Sequence, residues 1–167
     1  MTCYRKQTPL KGILLMLLLS AGLLAQPVLA QENTPVAYEK ASKGTRWLGT
    51  DRSAPIFKVL VEAGNLGGNE VEIAEITFQP SPEPGRNHQH KSLEIFYVLS
   101  GEFEHIVNDT LHVLTPGMVG IVRPGDWVRH GVRSSTPVKT LVIWVPSGEV
   151  ERLAGIFESW PIEDGEN

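Results

Sequence analysis

The chain has 167 residues, 41% of them hydrophobic, a formal net charge of −4 and a single cysteine. That length supports one domain with a real core, and an acidic balance without a basic stripe argues against nucleic acid as a partner. Cys3 lies near the start of the chain, so no disulfide is expected in the folded domain.

Residues 1–30 read as a signal peptide. Arg5, Lys6 and Lys11 form a basic start, Gly12 to Ala25 is an apolar run, and Val28-Leu29-Ala30 offers a small-residue cleavage site before Gln31. About 14 apolar residues are short of the roughly 20 that a membrane span needs. No stable span is therefore expected after cleavage. The mature chain, at net charge −7, is expected to be exported, and its lack of disulfides favours a bacterial periplasm or secretion from a bacterium.

Residues 31–55 form an N-terminal arm: a polar lead-in to Ala37, then an edge strand or covering loop over Tyr38 to Thr50. The main domain spans 56–146. Ile56 to Val61 predicts a strand, closed by the turn-rich Ala63 to Asn69. Glu70 to Phe78 predicts another, with a phase change near Ala74 that suggests a bulge or a strand covered on both faces. Pro80, Pro82, Pro84 and Gly85 make a stiff extended loop. A strand then runs through His88 to Leu99, followed by short strands at Glu102–Val107, Leu111–Leu114, Met118–Val122 and Trp127–Arg133, with Gly/Pro/Asn turns between them. Thr140 to Val145 is apolar on both parities, so both faces need cover. In residues 147–167 the period changes. Val150, Leu153, Phe157 and Trp160 recur at helical spacing, with Ser147 as N-cap and Glu149 and Glu151 in the first turn, predicting one amphipathic helix. The fold class is all-β, a sandwich or barrel with a C-terminal helix.

Chemistry concentrates around His88. In extended backbone His88, His90 and Glu94 share parity and point one way. Imidazole nitrogen and carboxylate oxygen are donors that a divalent transition metal accepts. His130 falls on an inward parity beside Val128 and Val132. His105, in phase with Phe103 and Val107, is either a wall histidine or a donor supporting the ligands. Arg86 and Asn87 flank the histidine pair and would meet an anionic substrate or simply face solvent. Trp127 and Trp144 are pocket stackers or packing residues. No glycine-rich phosphate loop, Ser/His/Asp arrangement or glycosidase-like carboxylate pair is evident.

Gly85-x2-His88-x-His90-x3-Glu94-x6-Gly101 resembles the first motif of the cupin superfamily, and Gly117 with Arg123-Pro124-Gly125-Asp126 and His130 resembles the second. Four residues separate Gly125 from His130 where two are usual, a change that preserves strand parity. The resemblance implies a double-stranded β-helix (jelly-roll) barrel holding one divalent metal ion, Fe, Mn, Ni, Cu or Zn, through His88, His90, Glu94 and His130. Similarity to quercetinase-like members implies a dioxygenase acting on a small oxygenated molecule, with Glu94 also moving a proton. A metal- or ligand-binding module without turnover, and an isomerase or lyase, are the alternatives. Arg86, Asn87, His105 and Trp127 would be the substrate contacts. A homodimer is expected, because outer-face residues such as Leu93, Ile95 and Leu99 need cover.

Overall fold

The structure, a computed structural model, describes residues 37–163 apart from Ala54. The expected signal peptide and the first residues of the arm lie outside the described residues. Among the described residues, ten strands and two short helices follow in the order β1 (Arg46–Gly49), β2 (Pro55–Val61), α1 (Ala63–Leu66), β3 (Glu72–Phe78), β4 (Leu93–Ser100), β5 (Phe103–Val107), β6 (Thr110–Leu114), β7 (Val119–Val122), β8 (Val128–Val132), β9 (Val138–Val145), α2 (Glu149–Ala154) and β10 (Glu158–Pro161). A seven-stranded sheet runs β10-β1-β2-β3-β9-β4-β7, and a three-stranded sheet runs β6-β5-β8. Neighbouring strands are antiparallel throughout. The all-β expectation holds.

The core lies between the inner faces of the two sheets. Ala74 and Ile76 of β3, Phe96 and Val98 of β4, Phe103 of β5, Leu114 of β6, Val132 of β8, and Val138, Val142 and Trp144 of β9 are buried together. Each large side chain hidden as fully as Phe96 contributes about 1.5–3 kcal/mol through its area removed from water. The outer face of β9 is only half-covered at Leu141 and Ile143, so the cover expected on both sides is partial.

Several local expectations are corrected. The phase change near Ala74 is absent. Glu72, Ala74 and Ile76 are buried in strict alternation, and the irregularity sits in the partner strand between Val59 and Val61. A bulge in β2 absorbs the extra residue, so β3 keeps one face inward. The arm also differs: Arg46–Gly49 is an internal strand, paired with β2 on one side and β10 on the other.

The predicted C-terminal helix breaks after six residues. Phe157 leaves it, and Trp160 enters β10 opposite Trp47 of β1. Helical spacing of the apolar residues was satisfied for one and a half turns only. Beyond that, the unpaired edge of β1 offers backbone partners that a solvent-exposed helical turn does not. Ser147 is not the cap either, since its hydroxyl donates to the Asn69 carbonyl at 2.7 Å. Gly148 occupies the cap position, with φ 130°. The free N–H groups of Glu149 and Val150 donate instead to one carboxylate oxygen of buried Glu72, at 2.8 and 3.0 Å. That contact seats the start of α2 against β3.

Candidate functional site

The proline-rich stretch after β3 returns to the small sheet. Gly85 N–H donates to the His130 carbonyl at 2.7 Å, and His88 and Val128 exchange both backbone hydrogen bonds at 2.8 and 2.9 Å. The chain then bends at Lys91 and Ser92 before β4 begins. His88 and His90 therefore do not continue the strand of Glu94, contrary to the parity argument. Gly125 N–H on the His90 carbonyl at 3.2 Å, and the buried Ser92 hydroxyl on the Pro146 carbonyl at 2.7 Å, hold the bend. Glu94 sits near the start of β4, flanked by Val122 of β7 and Trp144 of β9. His130 lies on β8 opposite His105 of β5.

These four side chains do gather. The His88 ring lies 4.8 Å from that of His90 and 5.8 Å from that of His130. His90 Nε2 is 3.3 Å from Glu94 Oε1, and His130 Nε2 is 3.8 Å from Glu94 Oε2. Donor atoms about 2.1 Å from one shared ion stand about 3 Å apart when adjacent, so these separations are slightly open. Among the described residues no group of three or more His, Cys, Asp or Glu side chains closes into a metal-holding arrangement.

The donor chemistry fits a cation nonetheless. Both ring nitrogens of His90 and of His130, together with Glu94 Oε2, are buried without a hydrogen-bond partner. Such atoms are costly unless something satisfies them. The other Glu94 oxygen is taken by the Trp144 indole N–H at 2.8 Å. His88 Nδ1 sits 2.9 Å from the Arg86 carbonyl, which favours the proton there and leaves Nε2 with its lone pair.

Burial sets the protonation pattern. It drives His130 well below the ordinary imidazole value, helped by His105, His88 and His90 nearby, so the ring is neutral at pH 7. It also lowers His88, against the pull of the Arg86 carbonyl. Burial pushes the Glu94 carboxyl up to about 7, opposed by His90 and the Trp144 indole. Neutral imidazoles are the form that ligates a metal.

The cluster closes one side of a cavity of about 280 Å³. Its other walls are largely apolar, among them Phe57, Phe78, Phe96, Leu153 and Phe157, and the charged side chains besides Glu94 are Arg86 and Arg152. Of the expected substrate contacts, Arg86 lines this space and the others do not. Asn87 is exposed outside it. His105 is buried one layer deeper, stacked at 5.5 Å and 13° on His130, and burial lowers its pKa. Trp127 is 50% exposed and its backbone pairs with Asn108 across the neighbouring hairpin, which takes it out of the pocket. Trp144 forms part of the lining while donating to Glu94.

The residues that sequence reasoning missed come from the C-terminal segment. Glu149 Oε2 lies 3.1 Å from His90 Nδ1 and accepts from Arg152 Nε at 2.6 Å. Burial opposes its ionisation, yet His90 and Arg152 hold the carboxyl down at about 2. Leu153, Ile156 and Phe157 add apolar wall. Glu149 had stood out in the sequence only as a first-turn acid, because nothing along the chain ties it to His90.

Residues 74–144 match the family described as Cupin domain, a span that contains all four gathered side chains. Over that span the chain is similar to the cupin family. The chain is also similar to solved structures, one of them at a TM-score above 0.5. KdgF from Halomonas sp. superposes at TM-score 0.52 with 17% identity, over 63% of this chain and 89% of that one. An RmlC-like cupin from Shewanella frigidimarina aligns at TM-score 0.48 with 22% identity, covering 71% of this chain and 91% of its own. A cupin superfamily protein from Desulfitobacterium hafniense aligns at TM-score 0.46 with 17% identity, over 55% and 77% respectively. At 17% identity the likeness to the Halomonas protein is one of fold alone. The sequence matches no curated protein.

Proposed function

We propose that this cupin is a metal-dependent enzyme that binds one divalent ion through His88, His90, Glu94 and His130 and acts on a small, oxygenated, anionic molecule, with dioxygenation as the reaction. The observation that carries the reading is the set of buried, unpartnered imidazole nitrogens and one carboxylate oxygen at the wall of an otherwise apolar cavity. Three imidazoles and a carboxylate would leave a bound divalent ion with net positive charge. Bound there, the ion supplies Lewis acidity and, for iron, manganese, nickel or copper, access to dioxygen chemistry.

The chain's own residues supply the rest. Phe57, Phe78, Phe96 and Phe157 exclude water and favour a flat apolar substrate body. Among the described residues Arg86 makes no side-chain hydrogen bond or ion pair, so its guanidinium is placed to meet a carboxylate or enolate at the mouth. Glu94, whose Oε1 is held by the Trp144 indole, also takes up or returns a substrate proton.

The deciding experiment pairs elemental analysis of protein purified from its own host with oxygen uptake by iron- or nickel-loaded protein on flavonols and related enediols. Stoichiometric metal and substrate-dependent oxygen loss support the reading. Metal-free native protein, or metal without oxygen uptake alongside tight ligand binding, would replace it with a binding module.

Two features outside the site belong to the same proposal. The N-terminal thirty residues direct export of the protein. Tyr97, Leu99, Val119, Ile121 and Val145 are exposed apolar side chains on or beside the outer face of β4, β7 and β9, an area suited to a second copy in a homodimer. Light scattering of the mature chain checks the latter.

A further inference from the structure

The structure assigns Glu149 as a positioning residue for the metal centre: its carboxylate fixes the orientation and tautomer of His90. This inference rests on the metal reading above and adds a residue that lies outside the matched cupin span of 74–144.

His90 stands between two carboxylates. Nε2 is 3.3 Å from Glu94 Oε1, and Nδ1 is 3.1 Å from Glu149 Oε2. All three side chains are almost wholly shielded from water, with none more than 4% exposed. A neutral imidazole has one N–H and one lone pair, so one carboxylate must take the proton side and leave the other nitrogen as a donor to a cation. Glu94 already accepts from the Trp144 indole through the oxygen facing His90, and its second oxygen faces His130. Nε2 lies on the side of Glu94, which belongs to the proposed ligand set, so the proton falls to Nδ1, and Glu149 Oε2, which also accepts from Arg152 Nε, is the carboxylate placed to hold it. Neither ring nitrogen meets full hydrogen-bond alignment, and a small rotation of the ring about its Cβ–Cγ bond changes the alignment of both nitrogens together. Carboxylate-held imidazole is a recurrent way of orienting a metal ligand and raising its basicity.

The carboxylate is itself built in. Arg152 Nε donates to the same Glu149 oxygen from one turn further along α2. The Glu149 backbone N–H is gripped by Glu72 of β3. A burial of this kind is destabilising for a carboxylate with no partner. Glu72, Glu149 and His90 thus form a continuous chain of contacts from β3 through the start of α2 to the site.

The test is calorimetric titration of metal-stripped wild-type, Glu149→Gln and Glu149→Ala protein with Co(II) or Ni(II), alongside two-dimensional nitrogen NMR of the histidine rings in the metal-free state. Wild type is expected to bind about one equivalent, with His90 protonated on Nδ1, and Glu149→Ala to bind about 10–100-fold more weakly. Glu149→Gln, nearly the same in shape, should shift the His90 tautomer ratio without altering the fold. Equal affinity in wild type and Glu149→Ala, or a His90 protonated on Nε2 in wild type, overturns the positioning role alone. Wild type that binds no divalent ion overturns the metal reading and the role with it. If Glu149→Ala fails to fold, affinity and tautomer in Glu149→Gln decide, and no change in either overturns the inference.

Discussion

The Trp144 indole donates to Glu94 Oε1 at 2.8 Å, and both side chains are buried to within 2% of full shielding. One strand of the large sheet thereby fixes a side chain on its neighbour, since Glu94 and Trp144 are register partners across β4 and β9. The bond leaves a single carboxylate oxygen facing His130 and the cavity. Trp144→Phe removes the donor with little loss of volume and strands a buried oxygen. Urea unfolding of the metal-free protein should record a loss of about 1–3 kcal/mol.

Replacing a histidine of the cluster should separate binding from folding. His130→Ala removes two buried, unpartnered nitrogens, so the metal-free fold has few hydrogen bonds to lose there. Metal content is expected to fall from about one equivalent to under about a tenth, with near-native circular dichroism. His90→Ala should do the same. Retained stoichiometric metal in either variant would remove that residue from the ligand set.

Arg86 offers a test of substrate charge. Its guanidinium lines the cavity without an ion pair among the described residues, so Arg86→Ala should leave metal content unchanged. Affinity for an anionic ligand should drop about 10-fold or more, the worth of one charge-assisted hydrogen bond. A neutral analogue of the same shape should bind both proteins alike, as judged by fluorescence or calorimetric titration.

The C-terminal strand makes a prediction about stability. Trp160 is 8% exposed on β10, opposite Trp47. Trp160→Ala should cost about 3–5 kcal/mol, read from chemical unfolding. It should also lower hydrogen-exchange protection along β1. A helix at this position would instead leave unprotected, in the wild type, the β1 amides that face β10.

A pH-dependent effect is expected at the turn before β8. Asp126 accepts from the Asn108 side chain at 2.8 Å and from the Arg123 N–H at 3.0 Å, and both bonds hold its carboxyl below the usual value of 3.8. A depressed folded-state pKa contributes stability above the unfolded value, and that contribution is lost as pH falls through the folded value. Asn108 has φ 48°, so Asn108→Gly removes the side chain without adding backbone strain. Carbon NMR should place the Asp126 titration nearer 3.8 in that variant than in the wild type.

Short-range information in the sequence determined a good deal. Alternation of Glu94, Phe96 and Val98 marked the inner face of β4. Asn108-Asp109 marked a hairpin, and the residues of the site were legible as chemical types at motif spacing. These features depend on neighbours a few residues apart, which is what a linear pattern records. The tertiary structure alone decided that the chain bends after His90, bringing two loop histidines beside a strand glutamate. It also turned a helical-looking tail into a strand and placed Glu149 against His90. Each of those outcomes depends on backbone groups or side chains more than thirty positions away. Their free energy comes from pairing an open sheet edge or satisfying a buried charge, which no local period encodes.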